Sequence, residues 1–402
     1  MKSTELKKLS NRTASFQESI ISEIVSLVIE TNAINLSAGI PDFNPPEELL
    51  SAAAEALESG RNQYSPVDGS RFLRKLLAKK YLKDNRIKTN PDTDLTITCG
   101  VSEAITATIL ALTEPGDEVI ILEPWFESYV PACILAGVTP RFVKLHEPDY
   151  TFDEKELRAA FNSHTRLILI NSPHNPTGRV FNHAELSSIA NLCQEFGVIA
   201  ISDEIYEYIL FDGHQHISIG SLEGMQDRTV SIGGLGKTYT VTGWRIGWVA
   251  APESISELIR KVHVYLTVCA PTPLQAGAAA ALSLPASFYE ETRRRYSKSR
   301  KILLDIFDEI GLGYHKPEGA YYVMADISKY LHLAEKYFRS DWTPDRAFTE
   351  YLARVIGVGV VPGSSFYSKD QGGQHVVRIN FGKKAETLLV AGDRLKKLPS
   401  LL

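Results

Sequence analysis

The chain has 402 residues, 44% of them hydrophobic and 23% charged, with a formal net charge of −5. That length holds two or three domains, and the even charge balance offers neither a basic face for nucleic acid nor a polybasic patch for a membrane. Partners are therefore expected to be small molecules or a second copy of the chain. Cys99, Cys133, Cys193 and Cys269 are scattered with no C-x-x-C pair, so they read as reduced core thiols, with neither zinc nor disulfides expected.

The N-terminus, "MKSTELKKLSNRTASFQES", has lysine clusters but no apolar stretch after them, so it does not read as a signal peptide. No apolar run approaches the roughly 18 residues of a membrane span, and a cytoplasmic location is expected. Further along, a short apolar run repeatedly precedes a polar corner and a helical pattern. "DLTIT" leads into "CGVSEA" and an apolar helix from Ile105 to Leu112, and "EVIILEP" leads into "WFESY". "RLILIN" leads into "SPHNPTG", "GVIAIS" into "DEIYEY", and "TVSI" into "GGLGK". Continuous apolar strands alternating with helices predict an α/β fold with a buried, mainly parallel sheet. Ligands collect beyond the carboxyl ends of such strands, where each of these corners lies.

After Leu282 the pattern changes. "EETRRRYSKSRKILLDIFDEIG" reads as one long amphipathic helix, and "AYYVMADIS", "GVGVVPG" and "HVVRINFG" read as short strands. A large domain is expected over residues 48–285. A smaller α+β domain would combine residues 286–402 with the N-terminal segment 1–47.

"SIGGLGKTYTVTGWRIGW" places Lys237 behind three glycines and ahead of Arg245. A phosphate-binding loop needs glycine where Ser231 stands and a helix after the lysine, yet β-branched residues and Gly243 follow. The alternative is an amine that condenses with a carbonyl, which needs glycines for close approach and a nearby cation or desolvation to free the amine. Taken alone, the stretch also fits a solvated loop lysine with Arg245 in a surface ion pair.

The stretch resembles the lysine segment of fold type I, pyridoxal-phosphate-dependent aminotransferases of class I/II. In chain order the resemblance rests on "INLSAGIPDF", "NQYSPVDG", "CGVSEA", "EPWFESY", "NSPHNPTG", "SDEIY", "GKTYTVTGWRIGW", "PEGAYY", "VPGSSF" and "VRINFG". It is nearest to the kynurenine, glutamine and methionine aminotransferases and their archaeal relatives. One departure stands out: the family often has serine where Gly234 and Gly236 stand here.

The resemblance implies a seven-stranded, mainly parallel sheet, pyridoxal 5′-phosphate as cofactor, and a homodimer. It makes Lys237 the imine-forming base and sets the Asp203 carboxylate against the ring nitrogen, although Asp203 also suits a helix cap. Tyr206 and Asn175 would donate to the phenolic oxygen, and Phe126 would stack on the ring. Gly100, Val101, Ser102 and Arg245 would hold the phosphate, helped by Tyr64 from the neighbouring subunit. Arg378 would fork onto the substrate carboxylate, which Gly39 also approaches together with Asn175. Trp125 and Tyr129 fit either the pocket or the core.

The implied reaction is ping-pong transfer of an amino group from an L-amino acid to a 2-oxo acid. Residues 262–292 contain no lysine or arginine, so an apolar, aromatic or otherwise uncharged side chain is expected rather than an aspartate-type substrate. Elimination, replacement or cyclisation at the same site, and a non-enzymatic regulator that kept the fold, are the competing readings.

Overall fold

The computed structural model describes residues 16, 18–368 and 372–401. Most of the N-terminal stretch read above as lacking a signal peptide therefore lies outside the described residues. A two-residue strand β1 (Ile34–Asn35) precedes the first large sheet, built from β2 (Leu95–Thr98), β3 (Glu118–Glu123), β4 (Thr139–Lys144) and β5 (Thr165–Asn171). The same sheet is completed by β6 (Ile199–Asp203), β7 (Thr229–Gly234) and β8 (Gly247–Ala250). Its order is β2-β8-β7-β6-β5-β3-β4, seven strands as expected. Six strands run in one direction, and β8 alone is reversed, pairing antiparallel with both β7 and β2. Helices cover both faces, so "LILIN" and "VIIL" are buried throughout. That two-sided burial is why these strands read as continuous apolar runs rather than alternating ones.

The chain leaves this sheet along one 25-residue helix, Ala286–Ile310, as its charge pattern predicts. The remaining strands are β9 (Gly313–Tyr314), β10 (Tyr322–Asp326), β11 (Val358–Gly359), β12 (Val361–Pro362) and β13 (Val376–Asn380). They form a four-stranded antiparallel sheet of order β12-β13-β10-β9, while β11 pairs with β1. "GVGVVPG" is thus two strands, because the chain changes partner at Val360, from β1 on one side to β13 on the other.

One other expectation is corrected: "DEIYEY" is a turn, not a helix. After "GGLGK" the chain makes a turn and a single 3-10 turn at Thr242–Trp244, in keeping with its poor fit to a helix. After β6 the Asp203 carboxylate takes the Ile205 N–H at 3.2 Å, which closes a tight local turn. Ile205, Tyr206 and Ile209 then bury against Leu303, Tyr321 and Tyr322, from the long helix and β10. Packing across to the second sheet, rather than local periodicity, sets the conformation there. Among the described residues, no helix is long and apolar enough to cross a membrane.

Candidate active site

The site begins as a matter of strand register. Asn171 at the end of β5 lies opposite Asp203 at the end of β6, and Asp203 lies opposite Ile232 of β7. β7 continues to Gly234, opposite Gly247 of β8, which in turn faces Thr98 of β2. The helix Val101–Leu112 starts beside that row. Lys237, three residues past β7, therefore emerges next to Asp203 and the helix start.

One cavity collects most of the residues singled out from sequence. Gly100, Val101, Ser102 and Arg245 line one side of it, and Phe126, Asn175, Asp203, Tyr206 and Lys237 line the rest. Gly39 joins through its carbonyl, which accepts from Lys237 Nζ at 2.9 Å and from the Tyr321 hydroxyl at 3.0 Å. A side chain at Gly39 would collide with the Tyr322 hydroxyl. Tyr64 stands apart, 82% exposed on the surface of this chain. Trp125 is buried and stacks on Phe142 with ring centroids 4.6 Å apart, which places it in the core.

Asp203 is 3% exposed. Burial pushes its carboxyl up to about 6, while the Tyr129 hydroxyl, the Ile205 N–H and the Lys237 charge pull it back down. Tyr129 donates to Asp203 Oδ2 at 2.8 Å, and Asn171 holds the neighbouring backbone by donating to the Asp203 carbonyl at 2.9 Å. Asn171 also accepts from the Asn175 N–H at 2.7 Å, which fixes the corner that carries Asn175. The Tyr206 and Tyr322 hydroxyls lie 3.1 Å apart, and burial first, then this neighbour, raises the Tyr206 phenol.

Arg378, in the middle of β13, has no exposure at all. Its guanidinium lies between the rings of Tyr322 and Phe366, at 4.4 and 4.9 Å from their centroids. Nη1 donates to Asn175 Oδ1 at 3.0 Å and Nη2 to the Ser37 carbonyl at 2.7 Å, but Nε has no partner. Among the described residues no carboxylate pairs with it. A buried guanidinium held only by neutral acceptors is poised for an incoming anion.

The corner formed by Gly100, Val101, Ser102 and Arg245 fits a bound anion too. Gly100 has φ +84°, and a Cβ there would come within 2.6 Å of Arg245 Nη2, so only glycine lets the guanidinium approach. The first N–H groups of the Val101–Leu112 helix have no intrahelical acceptor and carry the positive end of its dipole. At Gly234 a Cβ would sit 3.0 Å from the Ile246 carbonyl, which explains the absence of serine there. Thr242 lines the cavity beside Gly236 and brings a hydroxyl-bearing side chain to that wall. Away from this cavity, Glu204, Glu207 and His216 bring ligand atoms within 4.8 Å of one another, but Lys80 Nζ already sits 2.5 Å from Glu207 Oε2.

Asn171, Thr242, Tyr321 and Tyr322 were not assigned from sequence, and Tyr129, which fitted either the pocket or the core, lines the cavity. Asn171 had a signal, a polar residue ending an apolar strand. The roles of Tyr321 and Tyr322 depend on contacts between distant segments.

A lysine amine and a buried aspartate at the carboxyl edge of a helix-covered mixed sheet, with a second small sheet above, define a fold type I aminotransferase architecture. Comparison with known proteins agrees. Residues 31–395 match the aminotransferase class I and II family, and the chain belongs to that family. It is 35% identical to a kynurenine–oxoglutarate transaminase of Dictyostelium discoideum, over 97% of this chain and 96% of that one. It is 36% identical to an aspartate aminotransferase of Pyrococcus abyssi, over 91% and 92%. Among solved structures, a methionine aminotransferase from Escherichia coli superposes with a TM-score of 0.90 at 34% identity, over 98% of this chain and 100% of that one. The chain is an aminotransferase, and members of its family use pyridoxal phosphate.

Proposed function

We propose that this chain moves the amino group of an uncharged L-amino acid to a 2-oxo acid by a ping-pong cycle, with pyridoxal phosphate held at Lys237. The observation that carries the reading is the Arg378 guanidinium, buried with an unpaired Nε and donating to Asn175, which lines the same cavity as Lys237. When bound, the cofactor supplies an electrophilic carbonyl carbon and a ring that draws off the electron pair left at the substrate Cα. The residues do the rest. Arg378 and the Gly39 backbone hold the substrate carboxylate, which orients the Cα–H bond toward the Lys237 amine. Lys237 Nζ takes that proton and redelivers it. Asp203 would keep the ring nitrogen protonated by charge pairing, and Tyr206 and Asn175 would donate to the ring's phenolic oxygen. Phe126 would cover the ring, and Gly100, Val101, Ser102, Arg245 and Thr242 would hold the phosphate.

The side-chain class is supported by the cavity itself. Among the described residues, its charged lining residues are Lys237, Arg245 and Asp203, all committed to the cofactor in this reading. The three relatives compared are named for different side chains, so a donor panel is the deciding test. Aromatic, methionine-like and glutamine-like donors should bleach the bound cofactor's visible band and release a 2-oxo acid, with aspartate at least tenfold slower in kcat/KM. Preference for aspartate would contradict the side-chain reading, and ammonia release with recovery of the band would point to elimination.

Tyr64 is proposed to reach the phosphate of a second copy. Tyr64 and Tyr265 are large side chains left 82% and 91% exposed in one chain, as partly are Leu266 and Val268, which a second copy could cover. Sedimentation equilibrium should give a dimer, and a monomer at micromolar concentration would contradict it. The division at residues 47/48 and 285/286 belongs to the same proposal.

Cofactor retention should depend on pH through Asp203. Burial pushes its carboxyl up to about 6, above the ordinary aspartate value, so the folded state holds that proton more tightly than the unfolded one. Above pH 6 the group is an anion whose burial a pyridinium relieves, and below it the pairing is lost. Cofactor affinity, measured by fluorescence quenching, is expected to fall as pH drops from 7.5 to 5. A flat profile would contradict the pairing.

A further inference from the structure

The helix that opens the phosphate corner is capped in an unusual register. Gly100 stands at its N-cap and has no side chain to cap with, and Glu103 stands at the third helical position. In a capping box an acidic residue there turns back onto the N–H of the capping residue itself. Here Glu103 Oε2 reaches one residue further and accepts from the Cys99 N–H at 3.0 Å. The Gly100 N–H is thereby left out of the pairing, along with those of Val101 and Ser102, and these are the residues that line the cavity.

What holds Glu103 in that register lies on the neighbouring helix, Glu253–Thr267. His263 Nδ1 is 3.0 Å from Glu103 Oε1, and the His263 side chain has no exposure. Its Nε2 is buried without a partner. A proton on Nε2 would be an orphaned buried donor, whereas a bare Nε2 leaves only an unused lone pair, so the ring carries its proton on Nδ1 and donates to the carboxylate. Thr267 Oγ1, one turn on, lies 3.2 Å from the same Nδ1, and Cys99 Sγ lies 3.7 Å from the Cys269 carbonyl just past that helix. Several contacts thus run from one helix and its exit to a single corner of backbone.

We propose that His263 and Glu103 act as a positioning pair for phosphate: His263 fixes the carboxylate, the carboxylate takes the Cys99 N–H, and the next three N–H groups stay directed at the anion. The proposal rests on the reading of this corner as the phosphate site. It assigns to His263, which is not among the residues lining the active-site cavity, a role in discriminating phosphorylated from unphosphorylated ligand.

The test compares dissociation constants of the apoprotein for pyridoxal phosphate and for pyridoxal, each by fluorescence quenching. His263→Leu fills the space but cannot donate. It should weaken pyridoxal phosphate about tenfold, the effect of losing one charge-assisted hydrogen bond, and leave pyridoxal unchanged. His263→Asn, whose amide can replace Nδ1–H, should restore affinity to within about threefold of wild type. Glu103→Asp keeps the charge but is one methylene too short to span both partners, and it should reproduce the selective loss even if His263→Leu does not fold. Equal weakening of both ligands, or an unchanged preference for phosphate in His263→Leu and Glu103→Asp, would overturn the pair alone. A wild-type chain with no preference for the phosphorylated ligand would overturn the phosphate site and the pair together.

Discussion

Lys237→Ala is expected to lower transamination by more than about a thousandfold, because in the proposed cycle it removes both the point of covalent attachment and the base that moves the Cα proton. The visible band of lysine-linked cofactor should vanish, while noncovalent binding at the phosphate corner should persist. The loss follows from geometry rather than from motif alone. Lys237 Nζ sits 2.9 Å from the Gly39 carbonyl and 5.9 Å from the ring centroids of Tyr206 and Tyr321. Among the described residues no other lysine lines the cavity, so no second amine there is placed to substitute. Folding should be little affected, because the side chain contributes one hydrogen bond to a carbonyl that Tyr321 also satisfies. Wild-type turnover in this variant, by steady-state assay with any active donor, would contradict the assignment.

Asp203→Ala should slow the half-reaction by roughly 10²–10³-fold and loosen the cofactor, since the positive charge on the ring nitrogen loses its partner. Asp203→Asn keeps the volume and a hydrogen bond to Tyr129 but not the charge, so it should stay close to the alanine variant in rate. Stopped-flow absorbance of a single half-reaction reads this directly. If the asparagine variant runs at wild-type speed, charge at this position is not what the chemistry uses. The structure already shows an effort to keep the group ionised against its burial: the Tyr129 hydroxyl and the Ile205 N–H both donate to it.

Much of this site is legible in the chain because its residues sit where a strand ends. Two-sided burial makes β3, β5 and β6 continuous apolar runs, and the polar residues that close them, Asn171 and Asp203 among them, mark the sheet's carboxyl edge. Lys237, Asn175 and Arg378 lie in short segments whose residue types already restrict the chemistry. Register is what the chain does not display. Nothing local says that Asn171 faces Asp203, or that Arg378 on β13 reaches Asn175, 203 positions earlier. In "EPWFESY" three aromatics compete, and only the packed structure sends Trp125 onto Phe142, Phe126 into the cavity and Tyr129 onto Asp203. "DEIYEY" misleads for the same reason: its helical pattern reflects burial against Leu303 and Tyr321 across the second sheet, not helical geometry. Tyr64 is legible only as part of a motif, and within one chain its ring faces solvent.

The most direct measurement is borohydride reduction of the chain after incubation with excess pyridoxal phosphate, followed by peptide mass spectrometry. Reduction should fix one pyridoxyl group per chain on Lys237 Nζ and bleach the visible band. A chain that stays colourless and unlabelled, or that carries the label on surface lysines and none at Lys237, would contradict the covalent site.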